Sequence, residues 1–228
     1  MKLFFLLTRW AAVFVISFAC SYQLVRFTRH TAWFKERAYH KLVAGDENQR
    51  LHAASVLAEV GAEEQLLRAL KEPEPGVHEM ARRGVEHLWF YSAGEEAYRL
   101  MDSAYRAAEE KRELEAIHAL DTIITRFPRY AEAFNRRAAI HWQAGHHAQS
   151  RRDCEMALKL NPNNYAAWQG LGVCQLQDGE IADACRSLRS SLRIAPHDES
   201  ARRSLHECEQ LLQRARPDPR RGRPTDIL

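Results

Sequence analysis

From about Glu95 to Asp198 the apolar and small residues recur at two intervals at once. The short interval, three or four residues, is that of amphipathic helices; the long one is 34 residues, the length of a stackable helical unit. Stepping back by 34 puts Phe134 on Trp168, Ala138 on Gly172, Gly145 on Gly179, Ala157 on Ser191 and Pro162 on Pro196. A second step puts Leu100, Ala104, Ala116, Leu120, Ile123 and Pro128 at the same places. Each period therefore predicts two antiparallel helices. Two helices cross closely only where small residues meet, which accounts for Ala138 and Gly172 on the first helices opposite Ser150 and Ala184 on the second. Phe134 and Trp168 fill the space between neighbouring units, where burial of an aromatic is worth a few kcal/mol. Leu171 and Leu188 complete the apolar set, and Pro162 and Pro196 stop the second helices because proline has no backbone N–H to donate.

The spacings of Trp168, Leu171, Gly172, Ala184, Leu188 and Pro196 resemble the tetratricopeptide repeat (TPR) signature. The phrase Ala131, Glu132, Asn135, Arg136, Arg137, Ala138, preceded by the aromatic run Trp89, Phe90, Tyr91, is similar to a group of short bacterial TPR proteins with an apolar N-terminus. That resemblance covers about Leu88 to Leu211 and implies no assigned enzymatic activity. It also accounts for Arg137, which stands where the general pattern has Leu.

Upstream, Arg50, Ala53, Ala54, Leu57 and Val60 recur 28 residues later as His78, Ala81, Arg82, Val85 and Leu88, with a short helix over Glu63 to Lys71 between them. This resembles a HEAT-type repeat; a plain three-helix cap on the stack would read nearly the same. The fold expected is all-α: an α-solenoid of helix-turn-helix repeats, HEAT-like helices followed by about three TPR units and a capping helix, behind an N-terminal hydrophobic helix. The expected boundaries are an anchor or signal peptide over 1–30, a juxtamembrane helix over 31–45, the HEAT-like segment over 46–92, a degenerate TPR over 95–130, TPR units over 131–164 and 165–198, a cap over 199–215 and a disordered basic tail over 216–228. Gly45 and Asp46 supply a stop and a fresh N-cap between the second and third of these.

Leu3 to Val25 is apolar apart from Thr8 and Arg9. Its uncharged run from Trp10 to Val25 rises about 24 Å as a helix, and Leu3 to Leu7 extends it towards the about 30 Å of a hydrocarbon core. A single-pass membrane anchor is the expectation taken forward, with the side of the membrane open. Export after cleavage near Ser17-Phe18-Ala19 is the alternative, and lipidation of Cys20 or an organellar transit peptide are others.

Charge narrows the partner classes. Met1 to Lys35 holds five basic residues and no acid, and 216–228 holds four Arg and two Asp, so 36–215 is net −4 although the whole chain is +3. A mildly acidic folded part is the wrong sign for nucleic acid. The five cysteines show no zinc spacing; Cys154, Cys174, Cys185 and Cys208 read as buried thiols, or as two cross-helix pairs, 154 with 174 and 185 with 208. No phosphate loop, GxSxG or HExxH is present, so no enzyme activity, cofactor or small-molecule substrate is expected. His141, His146 and His147 near Asp153 could form a weak metal cluster, but histidines beside a turn are the plainer explanation.

Function is then expected on the first helices, where they line the groove of the stack: Tyr98, Met101, Tyr105, Asn135, Trp142, Gln169, Val173 and Leu176. Aromatic anchors with side-chain amides suit a peptide or helix of a protein partner. Chaperone-binding TPR domains clamp a terminal carboxylate with Lys, Asn and Arg; the corresponding places here hold Met101, Tyr105, Arg136, Ala166 and Gly170, and only Arg136 could serve. The alternative to a peptide-binding scaffold is an obligate subunit whose groove is buried in a larger complex.

Overall fold

The computed structural model of the chain describes residues 28–214, and these are helical, with no strand among them. The chain separates into two units, Met1–Val85 and Glu86–Leu228.

In the first unit lie α1 (Ala32–Ala44), α2 (Glu47–Glu59), α3 (Glu63–Ala69) and the start of α4 (Pro75–Tyr91). Asp46 caps α2 by accepting from the Gln49 backbone N–H, while the Gln49 side chain accepts from the Asp46 N–H, so two otherwise orphaned donors are satisfied reciprocally. Leu42, Leu57, Leu66 and Val77 are fully buried together with Ala53, Ala81 and Val85. The anchor expected over residues 3–25 lies outside the described residues. Among the described residues no helix is long and apolar enough to cross a membrane, and the expected localisation as a single-pass membrane protein is corrected accordingly.

Among the described residues the second unit holds three helical hairpins and a further helix: α5 (Glu95–Glu109) with α6 (Glu113–Arg126), α7 (Ala131–Gln143) with α8 (His147–Leu160), α9 (Tyr165–Gln177) with α10 (Ile181–Ile194), then α11 (Glu199–Arg214). The 34-residue interval is written into the backbone. Within the hairpin turns, the N–H groups of Arg112, His146 and Glu180 each donate over 2.8 Å to the carbonyls of Ala107, His141 and Gln175. At the far ends, Phe127, Asn161 and Ala195 donate to Ile123, Ala157 and Ser191 over 2.7, 2.8 and 2.9 Å.

Small residues do the work the period predicts. A Cβ on Gly172 would lie 2.7 Å from Leu188 Cγ and 3.2 Å from the Ala184 carbonyl oxygen, so α9 and α10 approach as closely as they do only with glycine there. One hairpin earlier Ala138 and Cys154 occupy the corresponding places and are both buried. Phe134 and Trp168 pack into one apolar cluster with Ala157 and Leu171, and Trp168 Nε1 donates to the Pro162 carbonyl over 2.9 Å. Between units, Asn164 caps α9 by accepting from Ala167 N–H at 3.0 Å, and Asp198 does the same for Ala201 at 2.9 Å. Tyr130, at the same place before α7, sends its hydroxyl instead to the Phe90 carbonyl at the end of α4.

Arg137 explains its own departure from the repeat pattern. Its guanidinium donates from Nε and Nη2 to both carboxylate oxygens of Asp153 on α8, at 2.8 and 2.7 Å, and from Nη1 to Asp121 on α6. One side chain thus ties three helices together.

Candidate functional site

The first helices α5, α7 and α9 present two adjoining cavities. The first, about 320 Å³, has Met101, Ala104, Leu120 and Ile140 for its apolar part and Tyr105, Glu109 and Arg136 for its polar part. The second, about 420 Å³, is bounded by Asn135, Trp142, Gln169 and Val173, and closed on one side by Ser200 and Ser204 of α11. Arg136, Ala139 and Gln143 belong to both.

Two of the eight residues expected in the groove lie elsewhere. Tyr98 stacks on Tyr91 with ring centroids 4.1 Å apart and stands edge-on to Phe90. Leu176 packs against the cluster of Ala184, Cys185, Leu188 and Cys208. The other six line the cavities, Met101 as floor at 1% exposure and Tyr105 as rim at 46%.

Arg136, expected as the one groove position able to serve a terminal carboxylate, lines both cavities. Its Nε donates to Glu132 Oε1 over 2.6 Å, and its guanidinium carbon lies 6.0 Å from the Tyr105 ring centre. Glu132 is itself buried and accepts further hydrogen bonds from the side-chain amides of Asn135 and Asn164, each at 3.3 Å. Burial pushes the Glu132 carboxyl above its ordinary range, against the pull of Arg136 and the amides. The Glu132–Arg136 spacing of one helical turn was the available sequence signal. It reads equally well as a routine exposed pair, and only the burial of Glu132 makes it a fixed mount for a cation beside two cavities.

The end of α4 borders the same region of the second unit. Tyr165 donates from its hydroxyl to Glu86 Oε1 at 3.1 Å, and its ring lies 5.6 Å from that of Trp89. Gln169 Nε2 donates to Ser200 Oγ at 2.7 Å, joining α9 to α11 across the second cavity.

The histidines near the α7–α8 turn do not converge. His141 and His146 have ring centres 5.7 Å apart, His147 lies against Trp142, and His141 Nε2 is 3.9 Å from Asp153, whose carboxylate is already engaged by Arg137. Burial holds the His141 ring below its ordinary pKa, towards the neutral form. Among the described residues no group of three or more His, Cys, Asp or Glu is placed to hold a metal ion.

Comparison with known proteins follows the same region. The tetratricopeptide repeat family model matches residues 114–159 and 138–199. A TPR repeat-containing protein of Rhizobium etli is 29% identical over 150 residues, 65% of this chain and 74% of that protein. Human tetratricopeptide repeat protein 33 is 30% identical over 145 residues, covering 60% of this chain and 55% of its own, and the mouse protein is 34% identical over 122 residues, covering 50% and 47%. The chain thus spans about half the length of these vertebrate relatives. Among solved structures, the TPR domain of Sgt2 from Aspergillus fumigatus superposes with a TM-score of 0.51 at 20% identity, over 58% of this chain and 88% of that one. The first TPR domain of Spaghetti (RPAP3), bound to the HSP90 peptide SRMEEVD, gives 0.50 at 20% identity, over 51% and 93%.

Proposed function

We propose that this tetratricopeptide-repeat protein is a non-enzymatic interaction scaffold that receives a segment of a partner protein, an extended peptide or a helix, along the cavities of α5, α7 and α9. The observation that carries the reading is the continuity of the two cavities through Arg136. Apolar surface at Met101 and Val173 accepts side chains, the amides of Asn135 and Gln143 accept or donate to a backbone, and Arg136 offers charge to an acidic group.

Arg136 suits that task because it is already mounted. Its guanidinium Nε is held by Glu132, so pairing of the remaining N–H groups with an incoming carboxylate immobilises little that was free, which is the source of affinity in a preorganised site. The Spaghetti domain with its HSP90 peptide supports peptide uptake as a use of this fold. The segment taken here differs in kind from a chaperone C-terminus, because Met101, Tyr105, Ala166 and Gly170 stand where a terminal carboxylate would need Lys, Asn and Arg.

A photoreactive phenylalanine at position 142 tests the reading, with position 114 as the control, since Leu114 is 83% exposed and lies outside both cavities. The expected result is one discrete adduct from position 142 that is lost when Tyr105→Ala is added and is not formed from position 114. Equal capture from both positions, or none from 142, would contradict it.

A further inference from the structure

Two successive seams of the second unit each bring a pair of cysteines together. Cys185 on α10 and Cys208 on α11 hold their Sγ atoms 2.6 Å apart, and both side chains are buried. Cys208 Sγ also lies 3.2 Å from the Ile181 carbonyl oxygen. One seam earlier, Cys154 on α8 meets Cys174 on α9, and Cys174 Sγ lies 3.4 Å from Ser150 Oγ. Cys174 and Cys208 are 34 residues apart, so each takes the same place in its helix and faces a thiol on the helix before it. A cysteine that served only as a small apolar filler would meet any apolar neighbour; here both meet cysteine.

We propose that Cys185 and Cys208 form a thiol–disulfide latch that joins α11 covalently to α10, with Cys154 and Cys174 as the equivalent latch between α8 and α9. The sulfurs of the first pair need to close by only a fraction of an ångström to reach the about 2.05 Å of a disulfide. The oxidant is a peroxide. One thiolate attacks a peroxide oxygen, the O–O bond breaks and hydroxide leaves, giving a sulfenic acid; the second thiolate attacks that sulfur and expels hydroxide. Two thiols and one hydrogen peroxide become one disulfide and two waters.

Access comes from the position of the latch. The outer face of α11 carries the exposed residues Arg202, Arg203, His206 and Glu207. Its inner face is held by Leu205, Cys208 and Leu212 and by the exposed Arg189–Glu209 pair. A helix with one face exposed opens locally at less than the free energy of the whole, so a small oxidant reaches Cys208 without global unfolding. In the inner pair the hydrogen bond from Cys154 lowers the Cys174 thiol, whereas burial raises Cys208 in the outer pair, so Cys174 is the readier of the two to ionise and Cys208 reacts only when the α10–α11 seam opens. Ser200 and Ser204 on α11 wall the second cavity, so the oxidised latch fixes that wall; this consequence for binding, unlike the latch itself, rests on the groove reading.

The test uses the full chain carrying Cys20→Ser, reduced and then treated with two equivalents of hydrogen peroxide per chain, one for each latch, with free thiols alkylated before digestion. The expected result is a peptide pair linked through Cys185 and Cys208, two hydrogens lighter than the reduced peptides, and a Tm raised by roughly 5–10 °C that dithiothreitol reverses. Cys208→Ser should lose the link and the part of the rise that depends on it. Recovery of Cys185 and Cys208 as alkylated thiols or sulfinic acids from folded protein would overturn the proposal, and so would a link that leaves Tm unchanged. Should Cys208→Ser fail to fold, the peptide map and Tm of the Cys20→Ser chain decide the matter alone. None of these readouts involves a partner, so failure of the groove reading leaves them intact.

Discussion

Lys111 takes in the first hairpin the place that Gly145 takes in the second, and both backbones are left-handed, with φ of 58° and 78°. Gly179 repeats the arrangement in the third hairpin at 78°. A side chain in this region carries a steric penalty that glycine escapes. Lys111→Gly should therefore stabilise the protein by about 0.5–1 kcal/mol, since the relief of strain exceeds the entropy glycine adds to the unfolded chain. Urea unfolding of the two chains, compared at equal slope, checks the sign.

The closest approach of α9 and α10 is set by Gly172 against Leu188. Gly172→Ala forces the Leu188 side chain and the Ala184 carbonyl apart and should cost about 1–3 kcal/mol. Leu188→Cys, which installs the residue that Cys154 provides opposite Ala138, removes the clashing atoms. The double variant measured under reducing conditions should thus be more stable than the sum of the two single losses implies, a coupling that a double-mutant cycle reads directly.

Arg137 and Asp153 are 20% and 8% exposed at the side chain. Arg137→Leu restores the residue common in the repeat but strands a buried carboxylate, and should cost about 3–5 kcal/mol. Adding Asp153→Met removes the stranded charge, and the double variant should recover most of that loss in thermal unfolding.

Glu132 gives the protein a definite pH response. Its carboxyl is raised above the ordinary 4.5 mainly by burial, so the folded state prefers the protonated form more than the unfolded state does. The contribution is favourable below about pH 4.5 and is lost as pH rises through the folded-state value, because the folded chain then has to ionise a buried group. Glu132→Gln lacks this titration. The stability of Glu132→Gln relative to the parent should therefore increase as pH rises from 4.5 towards neutrality and level off once the native carboxyl has ionised. A flat difference across that range would mean that Arg136 and the two amides offset burial completely.

Much of the architecture was legible because a stacked hairpin constrains the same few places every 34 residues. Small residues at the crossings, aromatics between units and prolines past the second helices leave a pattern that exposed positions cannot blur. The groove was less legible at its ends. Repeat geometry assumes a repeat on either side, yet Tyr98 meets the aromatic end of α4, where Tyr91 stacks on it, and Leu176 meets the cluster completed by Cys208 of α11. The buried mount of Arg136 was hidden for another reason. A Glu and an Arg one turn apart are common on exposed helix faces, and nothing in the sequence reports that Asn164, from the next hairpin, covers Glu132. The apolar stretch over 3–25 illustrates the converse: its composition led to a membrane localisation that no helix among the described residues is long and apolar enough to support.

Hydrogen–deuterium exchange of the full chain, with and without the partner segment captured at position 142, tests the central claim most directly. The account predicts slowed exchange on α5, α7 and α9, where the cavities lie, with α6, α8 and α10 little changed beyond their contacts with those helices. Protection concentrated on α6, α8 and α10, or on the first unit alone, would contradict it.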